Sequence, residues 1–153
     1  MTLSHSPDFE GYGAICYDFK SLTFWNQKKG LLSNRIYDFL EDSTGAYWFA
    51  TNNGLFRFKN NKWTCWNEKN GLNSNKVFTL ELHPDGKTVF FSNYTFGGFG
   101  YISNDSVFFK YNTNLIDKII AQDFVFDNYG RLWISSYDGL YCDCGNFIIK
   151  KPI

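Results

Sequence analysis

Few of the 153 residues stand in combinations that could do chemistry. The two histidines, His5 and His83, are far apart, and His83 precedes Pro84 at the end of a predicted strand, so neither has a companion at metal-ligand spacing. Cys142-Asp143-Cys144 invites a metal or redox reading, but it lacks a second cysteine pair and a nearby histidine. Its thiols, like Cys16 and Cys65, read as structural. Glu41-Asp42 resembles a turn pair, and the Phe-Gly-Gly-Phe-Gly run at 96–100 follows no strand-to-helix phosphate pattern. A hydrolase or lyase would need paired acids, a metal cage or a nucleophile with its base, and no such set is visible. No cofactor is expected.

The residues suited to binding are of another kind. Asn52, Asn53 and Asn93 carry planar amides that exchange hydrogen bonds with hydroxyls in both directions, and Tyr94, Phe96 and Tyr137 offer ring faces to the apolar side of a sugar. Asp138 follows Tyr137 in the same short connection, while Arg35 and Lys76 open corresponding strands and could line a channel mouth. Together these nine positions make a neutral oligosaccharide a chemically reasonable ligand. Each also has an ordinary structural reading: asparagines make turns, rim charges face water, and Gly97, Gly98 and Gly100 make a wide turn.

Strands must position these residues. Aromatic side chains form 21% of the chain, with 17 Phe, 10 Tyr and 5 Trp against 3 Pro and 1 Met, a composition that suits pleated surfaces. Charge balances at 15 basic and 15 acidic residues, so no summed field recruits nucleic acid or an anionic membrane. The first residues show no basic start followed by an apolar run, and no stretch approaches the roughly 20 apolar residues of a spanning helix.

The chain repeats itself. Turn glycines Gly45, Gly86 and Gly130 stand 41 and 44 residues apart, a blade-length period. Aligned on them, Trp48, Val89 and Trp133 correspond three positions on, and Thr51, Ser92 and Ser136 six positions on. Each unit divides into four short apolar or alternating runs, the pattern of consecutive antiparallel strands. The sequence therefore predicts an all-β fold: a β-propeller segment of about three and a half four-stranded blades in an incomplete ring. Its expected divisions are a loose tail at 1–10, a half blade of two outer strands at 11–29, and blades at 30–70, 71–113 and 114–153.

The stretch from Gly30 to Phe58 resembles the two-component regulator propeller repeat, matching at Gly30, Leu31, Ser33, Asn34, Glu41, Asp42, Gly45, Trp48, Thr51, Gly54, Leu55 and Phe56. Gly130, Leu132, Trp133, Ile134, Gly139, Leu140 and Tyr141 match again, whereas the middle copy keeps Gly71, Leu72, Ser74 and Asn75 but has Val89 in place of the Trp. The resemblance implies a β-propeller, usually of seven blades, serving as the extracytoplasmic sensor of hybrid histidine kinases that detect glycan fragments. It implies a non-catalytic, ligand-binding role in signal transduction, with a protein-interaction scaffold as the alternative and a propeller lyase or hydrolase behind it. No kinase, receiver or helix-turn-helix segment is present in these residues.

Three and a half blades fall below the range that closes a ring. The expected partners are the remaining blades of a longer chain or further copies of this one, with a periplasmic location in a longer exported sensor and a cytoplasmic one if the chain is complete. The tight Asp/Gly turns fall at one end of the strands. The longer connections, with room for a ligand, fall at the other.

Overall fold

The computed structural model describes residues 13–33, 35–93, 99–109, 119–143 and 148–151. These form fourteen strands and two single 3-10 turns, Gln27–Lys29 and Glu68–Asn70. Strands β1 (Ala14–Tyr17) and β2 (Leu22–Trp25) make a two-stranded sheet. Blade 1 contains β3 (Ile36–Glu41), β4 (Tyr47–Thr51), β5 (Gly54–Lys59) and β6 (Lys62–Trp66). Blade 2 contains β7 (Val77–Leu82), β8 (Val89–Asn93), β9 (Phe99–Ser103) and β10 (Ser106–Phe109); blade 3 contains β11 (Ala121–Phe126), β12 (Leu132–Ser136), β13 (Gly139–Asp143) and β14 (Ile148–Lys151). Every sheet is antiparallel and runs in chain order, so the first and third turns of each blade share one end. The expected all-β propeller arc of three blades and a half is what the chain builds.

Blades stack through their faces. Because strand side chains alternate, β4 sends Trp48 and Ala50 forward into a core with Val77, Val89 and Phe91 of blade 2. It sends Phe49 backward, to a cluster with Leu31 and Phe56 that Trp25 of the half blade packs against. A third cluster joins Phe90 and Phe99 of blade 2 to Phe124, Leu132, Ile134 and Tyr141 of blade 3. Each first strand carries a bulge, and the first strands of successive blades lie side by side. Asp38 crosses that seam: its Oδ2 accepts from Leu80 N at 2.7 Å and Thr79 Oγ1 at 3.1 Å.

The repeat's Asp and Trp form a clasp over the first turn. Asp42 is buried, and its carboxylate accepts from Thr44 N, Thr44 Oγ1, Ala46 N and, at 2.9 Å, Trp48 Nε1. Asp127 does the same in blade 3, accepting from Trp133 Nε1 at 2.8 Å. In blade 2 His83 takes the acid's place, and the turn is one residue longer: His83 N donates to Thr88 O, where Asp42 N donates to Ala46 O.

That extra residue corrects the glycine-based alignment. Leu82 pairs with Val89 as Glu41 pairs with Tyr47, so Phe90, not Val89, occupies the position of Trp48, and Asn93, not Ser92, that of Thr51. A one-residue shift exchanges the two faces of a strand. The run Val89–Asn93 is buried on both faces, so nothing in its pattern of apolar residues fixed the register beforehand.

Candidate functional site

The longer connections gather at the end of the blades opposite the clasps. Two have linkers that are described, 26–33 with 35, and 67–76, and these fold alike. Leu31 N donates to Asn26 O at 3.1 Å and Leu72 N to Asn67 O at 3.0 Å; both leucines are buried, as are Ser33 and Ser74 two positions on. The serine hydroxyls then accept from the backbone N–H of Arg35 (3.1 Å) and Lys76 (3.2 Å). Asn67 caps the 3-10 turn that follows it, accepting from Lys69 N, while Glu68 and Asn75 exchange backbone-to-side-chain hydrogen bonds at 2.9 and 3.0 Å. Much of the repeated Gly-Leu-x-Ser-Asn phrase thus holds one connection against the next. Gly54 N, for example, donates to Asn75 O across the blade boundary at 2.7 Å.

The candidate ligand residues sit on this frame. Asn52 Oδ1 accepts from Ser33 Oγ at 2.5 Å and Asn52 N donates to Arg35 O, while Asn53 Nδ2 donates to Leu32 O at 3.3 Å. Arg35 and Lys76 are exposed, and neither has an ion-pair partner among the described residues. Tyr137 is 68% exposed. Asp138 accepts from Tyr141 Oη at 2.7 Å and Lys150 Nζ at 3.0 Å. The tyrosine hydroxyl, and then the ammonium, bring the Asp138 carboxyl down to about 2; the same contacts raise Tyr141 and Lys150. Tyr94 and Phe96 lie outside the described residues.

Asn93 differs from its counterparts. It is fully buried, its Nδ2 donates to Asn73 Oδ1, and its own Oδ1 has no hydrogen-bond partner among the described residues. In blade 1 the same position is Thr51, whose hydroxyl donates to Gly54 O at 2.8 Å and accepts from Asn53 N at 3.0 Å. The neighbouring Ser92 Oγ is also buried and without a partner among the described residues, where blade 1 has Ala50. Sequence reading selected Asn52 and Asn93 but not Ser33 and Asn73, which brace them, because those hydrogen bonds join residues about twenty apart.

This arrangement can donate to and accept from hydroxyl groups. Among the described residues no group of three or more His, Cys, Asp or Glu side chains is placed to hold a metal ion. Cys16 and Cys65 are free thiols, and burial raises the Cys65 thiol. No helix among the described residues is long and apolar enough to cross a membrane.

The model of one family, the two-component regulator propeller, matches residues 30–53, covering the first linker, β3, the clasp and β4. Over that segment the chain matches the two-component regulator propeller repeat. Solved structures extend the likeness over the fold. The propeller repeats here superpose on the extracellular domain of BT3049 from B. thetaiotaomicron, named as a hybrid two component system, with a TM-score of 0.73 and 19% identity over 92% of this chain. The extracellular domain of BT4673 from the same organism gives 0.63 at 18% identity over 78% of the chain. Virginiamycin B lyase from Staphylococcus aureus gives 0.64 at 16% identity, again over 78%. The chain spans 20%, 18% and 41% of those three proteins respectively. No curated protein matches it.

Proposed function

We propose that these blades belong to a non-catalytic sensory β-propeller of the two-component type, positioned outside the cytoplasmic membrane, whose long-connection end binds a hydroxyl-rich ligand such as a glycan fragment. The observation carrying the ligand reading is Asn93 Oδ1, a buried acceptor without a partner among the described residues, at the end where exposed Arg35, Lys76 and Tyr137 also lie. An unpaired buried acceptor costs about 1–3 kcal/mol, and a ligand hydroxyl would recover part of that. The sensory reading is supported by the matched repeat at residues 30–53 and by the likeness to extracellular propellers of two component systems. Remaining blades, or further copies, complete the ring.

A thermal-shift titration with a panel of neutral oligosaccharides tests this. A saturable rise in Tm is expected with at least one sugar. Asn93→Thr, which installs the residue of blade 1, should weaken that response by about tenfold while the chain stays folded. No saturable response across the panel would overturn the glycan reading, and turnover of a bound sugar would overturn the non-catalytic one.

A further inference from the structure

At the clasp end, where the turns are shortest, the seam between blades 1 and 2 opens into a groove of about 230 Å³. Three cations line it. Arg57 comes from β5, Lys59 from the end of that strand, and Lys87 from the lengthened turn of blade 2. Arg57 is set across from Trp48, the position that holds Tyr101 in blade 2 and Cys142 in blade 3, so a charge here departs from the repeat. Its guanidinium carbon lies 5.3 Å from the centroid of each of the Trp48 and Trp66 rings, beside two indoles that stack on one another.

We infer that this groove binds a small oxyanion, a carboxylate or phosphate group, on the Arg57 guanidinium with Lys59 and Lys87 supplying further positive charge. Two acids share the groove. The oxygens of Asp42 already accept four hydrogen bonds, and its carboxylate is turned to the clasp. Asp105 meets Arg57 Nη1 at 2.5 Å, the one hydrogen bond the guanidinium makes among the described residues, but the aspartate side chain is 63% exposed. A rim carboxylate of that exposure is held by little free energy, so an incoming anion can share or take its place. Lys59 Nζ donates to Thr44 Oγ1 at 2.8 Å, and Lys87 has no ion-pair partner among the described residues. A planar guanidinium held beside two indoles, with N–H groups that have no partner among the described residues, suits the paired oxygens of a carboxylate or phosphate.

The test is an NMR titration of the folded 15N-labelled chain with inorganic phosphate and separately with acetate, at constant ionic strength, following the Arg57 Nε–Hε resonance. A saturable shift is expected with one or both anions. Lys87→Gln, a surface change, should weaken it by about threefold, and Asp105→Asn, which removes the resident competitor, should strengthen it by at least that factor. A shift that never saturates, or that is indifferent to both Lys87→Gln and Asp105→Asn, would leave Arg57 as a packing and ion-pair residue only and overturn the inference. The ligand titrations at the opposite end stand or fall separately.

Discussion

Glu81 of blade 2 and Asp42 of blade 1 show how a carboxyl takes opposite roles in different settings. Glu81, at the seam between blades 2 and 3, is pushed upward by burial and by the charges of Asp123 and Asp38, which outweigh the hydrogen bond from Phe126 N. Asp42 also feels burial, but hydrogen bonds from Thr44, Trp48 and Ala46 prevail and hold its carboxyl below the ordinary value. A carboxyl raised in the folded state binds its proton more tightly there than in the unfolded chain. Glu81 therefore adds stability as pH falls from neutral through its folded value, with the gain complete below the ordinary 4.5. Asp42, and Asp85 at about 2, act the other way: their contribution is full above 3.8 and is lost as pH falls beneath it. Glu81→Gln keeps an acceptor for Phe126 N and removes the charge. Urea unfolding should find the variant more stable than the parent at pH 7, with the difference shrinking at pH 5. An equal or larger difference at pH 5 would refute this account of the seam.

At the scale of elements, the strands were legible because each is short, apolar or alternating, and closed by Asp, Asn or Gly. The Asp-Trp clasp was legible as a motif, though its hydrogen bonds were not. Register in β8 was hidden, since Thr-Val-Phe-Phe-Ser has no polar alternation and the turn before it gains one residue. The candidate binding residues were recognisable by type, yet Ser33 holding Asn52 and Asn73 holding Asn93 depend on contacts that no local pattern records. The register makes a sharp prediction. Phe90 sits where blade 1 carries Trp48, so Phe90→Trp should cost less than about 1.5 kcal/mol, and adding His83→Asp should supply the acceptor its indole lacks. Val89 faces the fully packed seam with blade 1, so Val89→Trp should cost more than about 3 kcal/mol through overpacking. Chemical denaturation of the two single variants decides the matter; the reverse order would restore the glycine-aligned register.

For the whole molecule, the repeated period led directly to radial stacking, because a four-stranded sheet with two apolar faces needs a neighbour on each side. The described blades satisfy that need internally at three seams and leave two outer faces. On the half blade, Ile15, Tyr17, Leu22 and Phe24 share a face through the pairs Ile15↔Phe24 and Tyr17↔Leu22, and all are exposed, Tyr17 at 59%. On blade 3, Val125, Leu140 and Ile149 stand exposed around Trp133, with Val125 at 56%. Apolar patches of this kind promote association when nothing covers them. The 153-residue chain on its own should therefore increase in mass with concentration in size-exclusion chromatography with light scattering. Replacing Tyr17 and Leu22 together by Glu should shift it toward monomer while its circular dichroism stays that of a β protein, since neither side chain is part of an internal seam. A parent chain that remains monomeric at every concentration would show that these faces are self-sufficient, and would remove both the copy-on-copy ring and the need for neighbouring blades.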